Sequence, residues 1–131
     1  MTAAVVGRAS SRAWITFTRV LTLTVFLQAV TAGRILTGDD WADSAHRAVG
    51  GLVVVAAVAG GIVALVRLRD RTGGRRFGFL LVAMGAGLLV QYALGTAAAD
   101  GQDTLWIHVP LGVALVTLMM RLDTVARRIE G

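Results

Sequence analysis

Four apolar segments, each long enough to cross a bilayer and joined by short polar links, constrain this chain more than any other feature. A hydrocarbon core of about 30 Å takes roughly 20 helical residues at about 1.5 Å each. The stretches Trp14 to Leu36, Ser44 to Leu68, Phe77 to Ala98 and Thr104 to Leu122 all meet that length. The links TGDDWAD, RDRTGGRR and ADGQDT are too short to hold further domains. The expected fold is therefore all-α, a single integral membrane four-helix bundle over residues 1–131. Composition agrees: 56% of residues are hydrophobic and 16% charged, and a mean hydropathy of +0.71 exceeds what a water-soluble core of this size accommodates. Arg8 and Arg12 before the first apolar run, with VTA before Gly33, also fit a secretory signal. We read the segment as a retained helix.

The charges predict an orientation. Thirteen arginines with no lysine oppose eight acids, a net +5, and in a membrane chain such an excess sets topology rather than nucleic-acid binding. Arg67, Arg69, Arg71, Arg75 and Arg76 surround the middle link, while Arg8, Arg12, Arg127 and Arg128 lie in the tails. Those three regions are expected on the cytoplasmic side, with both termini cytoplasmic. The acidic first and third links, with Asp39, Asp40, Asp43, Asp100 and Asp103, then face outward. Exclusive use of arginine suits a GC-rich genome, hence the inner membrane of a bacterial cell. The absence of cysteine excludes disulfides, zinc–thiolate and iron–sulfur sites within the chain.

The first helix pair repeats in the second. VFLQAVTAG at 25–33 matches LLVQYALG at 88–95, and each is followed by an acidic link, a tryptophan (Trp41, Trp106), a histidine, and a glycine four residues further on. Gln28 precedes His46 by 18 positions and Gln91 precedes His108 by 17. Two tandem same-direction helix pairs predict a pseudo-two-fold axis along the membrane normal. That axis sets His46 and His108 at one depth on opposite sides.

Two imidazoles so placed are what axial ligation of a haem iron requires. In HRAVG and HVPLG the glycine lies one helical turn from the histidine, so Gly50 and Gly112 leave room for a flat macrocycle. Arg34 and Arg47 sit at the outer end against the general charge bias, where anionic propionates would meet them. Trp106 is expected in an interfacial aromatic belt or on a porphyrin edge. Asp43 is expected to cap its helix or to accept from the far nitrogen of His46.

Each feature also has a plainer reading. A single interfacial histidine is most often a hydrogen-bonded structural residue, and the haem reading rests on the pair. Gly50, Gly51, Gly60, Gly61, Gly85 and Gly87 also suit close helix packing. Gln28 and Gln91 are expected in interhelical hydrogen bonds. Arg19 can snorkel to headgroups, and Met84, Met119 and Met120 are expected to pack.

At DSAHRAVG and WIHVPLG the chain resembles one four-helix half of the haem A synthase family. The resemblance covers about Gln28 to Leu118: Asp43, His46 and Arg47 match an acid-x-x-His-Arg motif that opens helix two, and His108 matches the histidine of helix four. It implies a haem-binding bundle. The family's oxidative half has glutamate where this chain has Asp43, and a synthase has two halves, so oxidase activity would require a homodimer. The expected function is a b-type cytochrome holding one non-covalent haem b on His46 and His108, for electron transfer or haem handling. Its partners would be the lipid bilayer, a redox protein or quinone, and a second copy, with no nucleic acid. The alternatives are a homodimeric haem-modifying oxidase using Asp43, and a non-haem transporter or assembly subunit.

Overall fold

The computed structural model describes the backbone of residues 2–129 and the side chains of residues 12–129. The side chain of Arg8, used in the charge pattern, lies outside these. Four helices form: α1 (Thr2–Leu36), α2 (Asp40–Arg67), α3 (Gly74–Ala99) and α4 (Leu105–Ala126), with no strand among the described residues. All four are long and apolar enough to cross a membrane, the first over Arg12–Leu36. Every apolar segment of the sequence is thus a helix, but the helices run beyond it. Hydropathy marks only the part that matches hydrocarbon, whereas a helix continues into polar surroundings wherever its ends suit the macrodipole. The first turn of α2, with Asp40 and Asp43 at its positive end, is such an extension.

The helices close into a ring in chain order. α1 packs on α2 and α4, α3 packs on the same two, and among the described residues neither diagonal pair, α1 with α3 or α2 with α4, makes a backbone approach. The α2–α3 seam is the closest. A Cβ on Gly61 would lie 2.7 Å from the Val82 nitrogen, one on Gly78 would lie 2.9 Å from the Leu65 nitrogen, and one on Gly85 would lie 2.6 Å from Val58 Cγ2. Small residues let these backbones meet, which in lipid replaces the hydrophobic drive that helices have in water. Gly60 instead admits the Phe17 ring of α1, and Gly87 admits Leu115 of α4.

The two ends of the bundle differ. At the end of the α2–α3 link, the arginine end, Leu68, Phe77, Leu81, Met119 and Thr18 are the largest fully buried side chains. Trp14 meets Phe17 and Phe77 edge-on, with centroids 5.8 and 5.6 Å apart. Asp123 of α4 accepts from Arg19 of α1 at 3.1 Å and from Arg127 at 2.9 Å, tying α1 to α4. Arg19 thus has a protein partner as well as a headgroup zone within reach. Met84 and Met119 are buried, and Met120 is exposed.

At the opposite end, the histidine end, the two links reverse the chain in the same way. Gly38 and Gly101 have φ of 83° and 86°. In each case the following amide reaches back five residues, Asp39 to the Arg34 carbonyl at 3.2 Å and Gln102 to the Ala97 carbonyl at 3.0 Å. The glycine amides bond to Ile35 and Ala98. This is the helix-terminating motif that requires a left-handed residue after the last turn. Its occurrence at equivalent positions gives the sequence repeat a structural counterpart.

A histidine pair across the bundle as candidate functional site

His46 lies two turns into α2, and His108 lies one turn into α4. Because these helices sit on a diagonal of the ring, side chains facing inward from them meet across its centre. The imidazole centroids are 6.5 Å apart and the ring planes are inclined at 60°. Both residues are partly buried.

The surrounding groups determine where each ring carries its proton. His108 Nδ1 is 3.0 Å from the Gln91 carbonyl, which can only accept, so Nδ1 bears the hydrogen. His108 Nε2 then has a lone pair, and the Gln91 side-chain amide lies 3.2 Å from it as a donor. The same amide donates to the His108 carbonyl at 2.9 Å. At His46, Nδ1 is 2.8 Å from Thr31 Oγ1. The Thr31 hydroxyl is also 2.9 Å from the Gln28 carbonyl, to which it can donate. His108 is therefore the Nδ1–H tautomer with a lone pair on Nε2. The glutamine positions of the repeat lie at both anchors: the Gln91 carbonyl meets His108, and the Gln28 carbonyl meets both Thr31 and His46.

The glycines divide the work differently from expectation. Gly50 faces the Tyr92 ring, with Cδ2 3.4 Å from the position of a Cβ, and it also faces Gln28 Oε1 at 3.9 Å. Gly112 faces Gln91 Nε2 at 3.0 Å. Gly51 touches only the Tyr92 ring. The glycine that makes room for a histidine is Gly95, where a Cβ would lie 2.8 Å from His108 Cε1. Its counterpart in the repeat, Gly33, has nothing within 4 Å. Tyr92, Thr31 and the role of Gly95 escaped the sequence reading. The repeated glutamine–glycine spacing was a signal for Gly95, and nothing in the sequence singles out Thr31.

The polar residues at the rim are paired with one another. Arg34 meets Asp39 at 2.6 Å, and Arg47 meets Asp43 at 2.9 Å on the next turn of α2. Asp43 sits in the first turn of α2, an acid at the helix's positive end, and its carboxylate bonds Arg47 rather than His46, whose Nδ1 meets Thr31. Trp41 and Trp106 are exposed on the outside of the bundle, at 56% and 67%, as an aromatic belt requires.

Two buried atoms have no partner: Gln28 Oε1 and Gln91 Oε1. Each leaves an amide oxygen desolvated beside the histidine pair, a local cost of about 1–3 kcal/mol. Among the described residues no three His, Cys, Asp or Glu side chains gather as metal ligands. The donor set is two imidazoles 6.5 Å apart between centroids, which suits an ion whose remaining ligands come with it. An imidazole nitrogen bonds a first-row transition metal at about 2 Å, so rings on opposite sides of one ion have centroids about 6 Å apart. The observed separation fits that arrangement. No family model, curated protein or solved structure matches this chain.

Proposed function

We propose that this chain is a membrane b-type cytochrome, with His46 and His108 holding one non-covalent haem b at the histidine end of the bundle. The reading is supported above all by the histidine pair itself, two rings 6.5 Å apart on diagonal helices, each with Nδ1 held by a hydrogen-bonding partner. Anchoring the far nitrogen is how proteins orient a ligating imidazole and raise its basicity. The likeness of Asp43, His46, Arg47 and His108 to the haem A synthase motif points the same way.

The residues around the pair would then act as follows. Gln91 withdraws its amide from His108 Nε2, which frees that nitrogen. Arg34 and Arg47, exposed at the rim and paired with carboxylates, exchange those partners for the anionic propionates. Gly50 and Gly112 keep the helix faces low beside the histidines. Haem supplies a one-electron couple when bound, and occupation of both axial positions favours electron transfer over oxygen chemistry. With the arginine end cytoplasmic by the positive-inside rule, the site lies near the outer surface of a bacterial inner membrane.

One observation favours a second, non-haem reading: Gln91 satisfies both nitrogens of His108, as it would for a purely structural histidine. Absorption spectra of the detergent-purified protein, oxidised and reduced, separate the two. The expected result is a bis-histidine Soret band and a sharp α band, lost or altered in both His46→Ala and His108→Ala. Colourless wild-type protein after expression with ample haem would sink the cytochrome, and a pyridine haemochrome assay distinguishes haem b from a modified haem.

A further inference from the structure

We propose that Thr31 is the positioning residue of His46, fixing its proton on Nδ1 and so leaving Nε2 as the nitrogen able to ligate. As a statement about ligation, this rests on the haem reading above; as a statement about the tautomer, it stands alone.

The two halves of the repeat solve one problem differently. On the α3–α4 side, Gly95 lets the His108 ring press against α3, and Nδ1 reaches the Gln91 carbonyl directly at 3.0 Å. On the α1–α2 side, nothing approaches Gly33, and the Thr31 hydroxyl stands beside the ring together with the Gln28 carbonyl: its oxygen lies 2.8 Å from His46 Nδ1, and it is 2.9 Å from that carbonyl. A hydroxyl that donates to the Gln28 carbonyl, which can only accept, takes its own hydrogen bond from His46 Nδ1–H. Three residues after Gln91 the sequence has Leu94, so the second half contains no equivalent hydroxyl. Thr31 thus replaces, with one side chain, what Gly95 achieves by removing one.

A neutral imidazole protonated at Nε2 cannot offer that nitrogen to a metal. Without Thr31, only the Gln28 carbonyl would hold the His46 proton on Nδ1, and binding would more often have to select the productive form. His108, anchored by a backbone carbonyl, would keep its tautomer.

The test is imidazole nitrogen NMR on haem-free protein with isotope-labelled histidine, in detergent, at a pH where the rings are neutral. Wild-type His46 is expected as the Nδ1–H tautomer, Thr31→Val as Nε2–H or a mixture, and Thr31→Ser as wild type, with His108 unchanged throughout. Haemin titration is expected to show about tenfold weaker binding for Thr31→Val, restored in Thr31→Ser. A wild-type His46 protonated at Nε2 overturns the proposal without any variant, as does a Thr31→Val spectrum identical to wild type. A tautomer change in protein that takes up no haem would end the haem reading and leave the Thr31 assignment standing. An unchanged tautomer in protein that does bind haem would do the reverse.

Discussion

The arginine end and the histidine end of this bundle are built from the same four helices, yet they are packed on opposite principles. At the arginine end large side chains fill the interior and Asp123 clasps α1 to α4. Among the described residues the buried apolar side chains thin out toward the histidines, where Ala42 and Leu88 remain, and two glutamine oxygens are desolvated without partners. One end carries the stability of the fold. The other is held open by it, with polar groups whose hydrogen bonding is incomplete, which is how sites that receive a ligand commonly differ from sites that only pack.

This contrast can be broken most forcefully at the α2–α3 seam. Gly61→Leu places a side chain against the Val82 backbone, where nothing flexible can yield, and should destabilise by about 3 kcal/mol or more. Thermal unfolding in detergent should show loss of folded protein, whereas Gly33→Leu, in open space, should unfold like wild type. Equal effects at both positions would mean that the seam is not what holds the bundle.

A smaller effect is expected from Gly95→Ala, whose methyl meets the His108 ring. The cost should be about 1–3 kcal/mol, and the ring should leave the Gln91 carbonyl, which His108 nitrogen spectra would report. Retention of the native His108 tautomer would show that the ring does not depend on that glycine. In the opposite direction, Gln28→Leu removes a buried unpartnered amide oxygen and should stabilise the haem-free protein by about 1–2 kcal/mol in the same unfolding assay. A loss of stability there would mean that Gln28 contributes packing that outweighs its unsatisfied atom. Asp123→Asn should have the least effect, under about 1 kcal/mol, because the arginines it pairs with are largely exposed.

Much of the site was legible before any coordinates. Hydropathy alone located four helices, because a membrane-spanning helix needs a long uninterrupted apolar run. The repeat placed His46 and His108 at one depth, because two copies of one helix pair share their spacing. Gly50, Gly112, Arg34, Arg47 and Trp106 were named from distance along the chain, and all lie at the histidine end. Their contacts were not legible. Asp43 turned to Arg47 rather than His46, Gly50 faced Tyr92, and Gly112 faced Gln91, because these contacts depend on how far each helix is rotated about its own axis.

The sequence by itself determined that this chain forms four membrane-length helices, that they arise as a duplicated pair, and that its two histidines are equivalent within that duplication. These are properties of hydrophobic length and periodicity, which a linear string records. Only the tertiary structure decided that α2 and α4 face each other across a diagonal, that Thr31 Oγ1 and the Gln91 carbonyl meet Nδ1 of the two rings, and that Gly95 rather than Gly33 makes room for an imidazole. Those outcomes turn on shifts of an ångström or so between helices, and such shifts are set by close contacts such as those at Gly61, Gly78 and Gly85 along the α2–α3 seam.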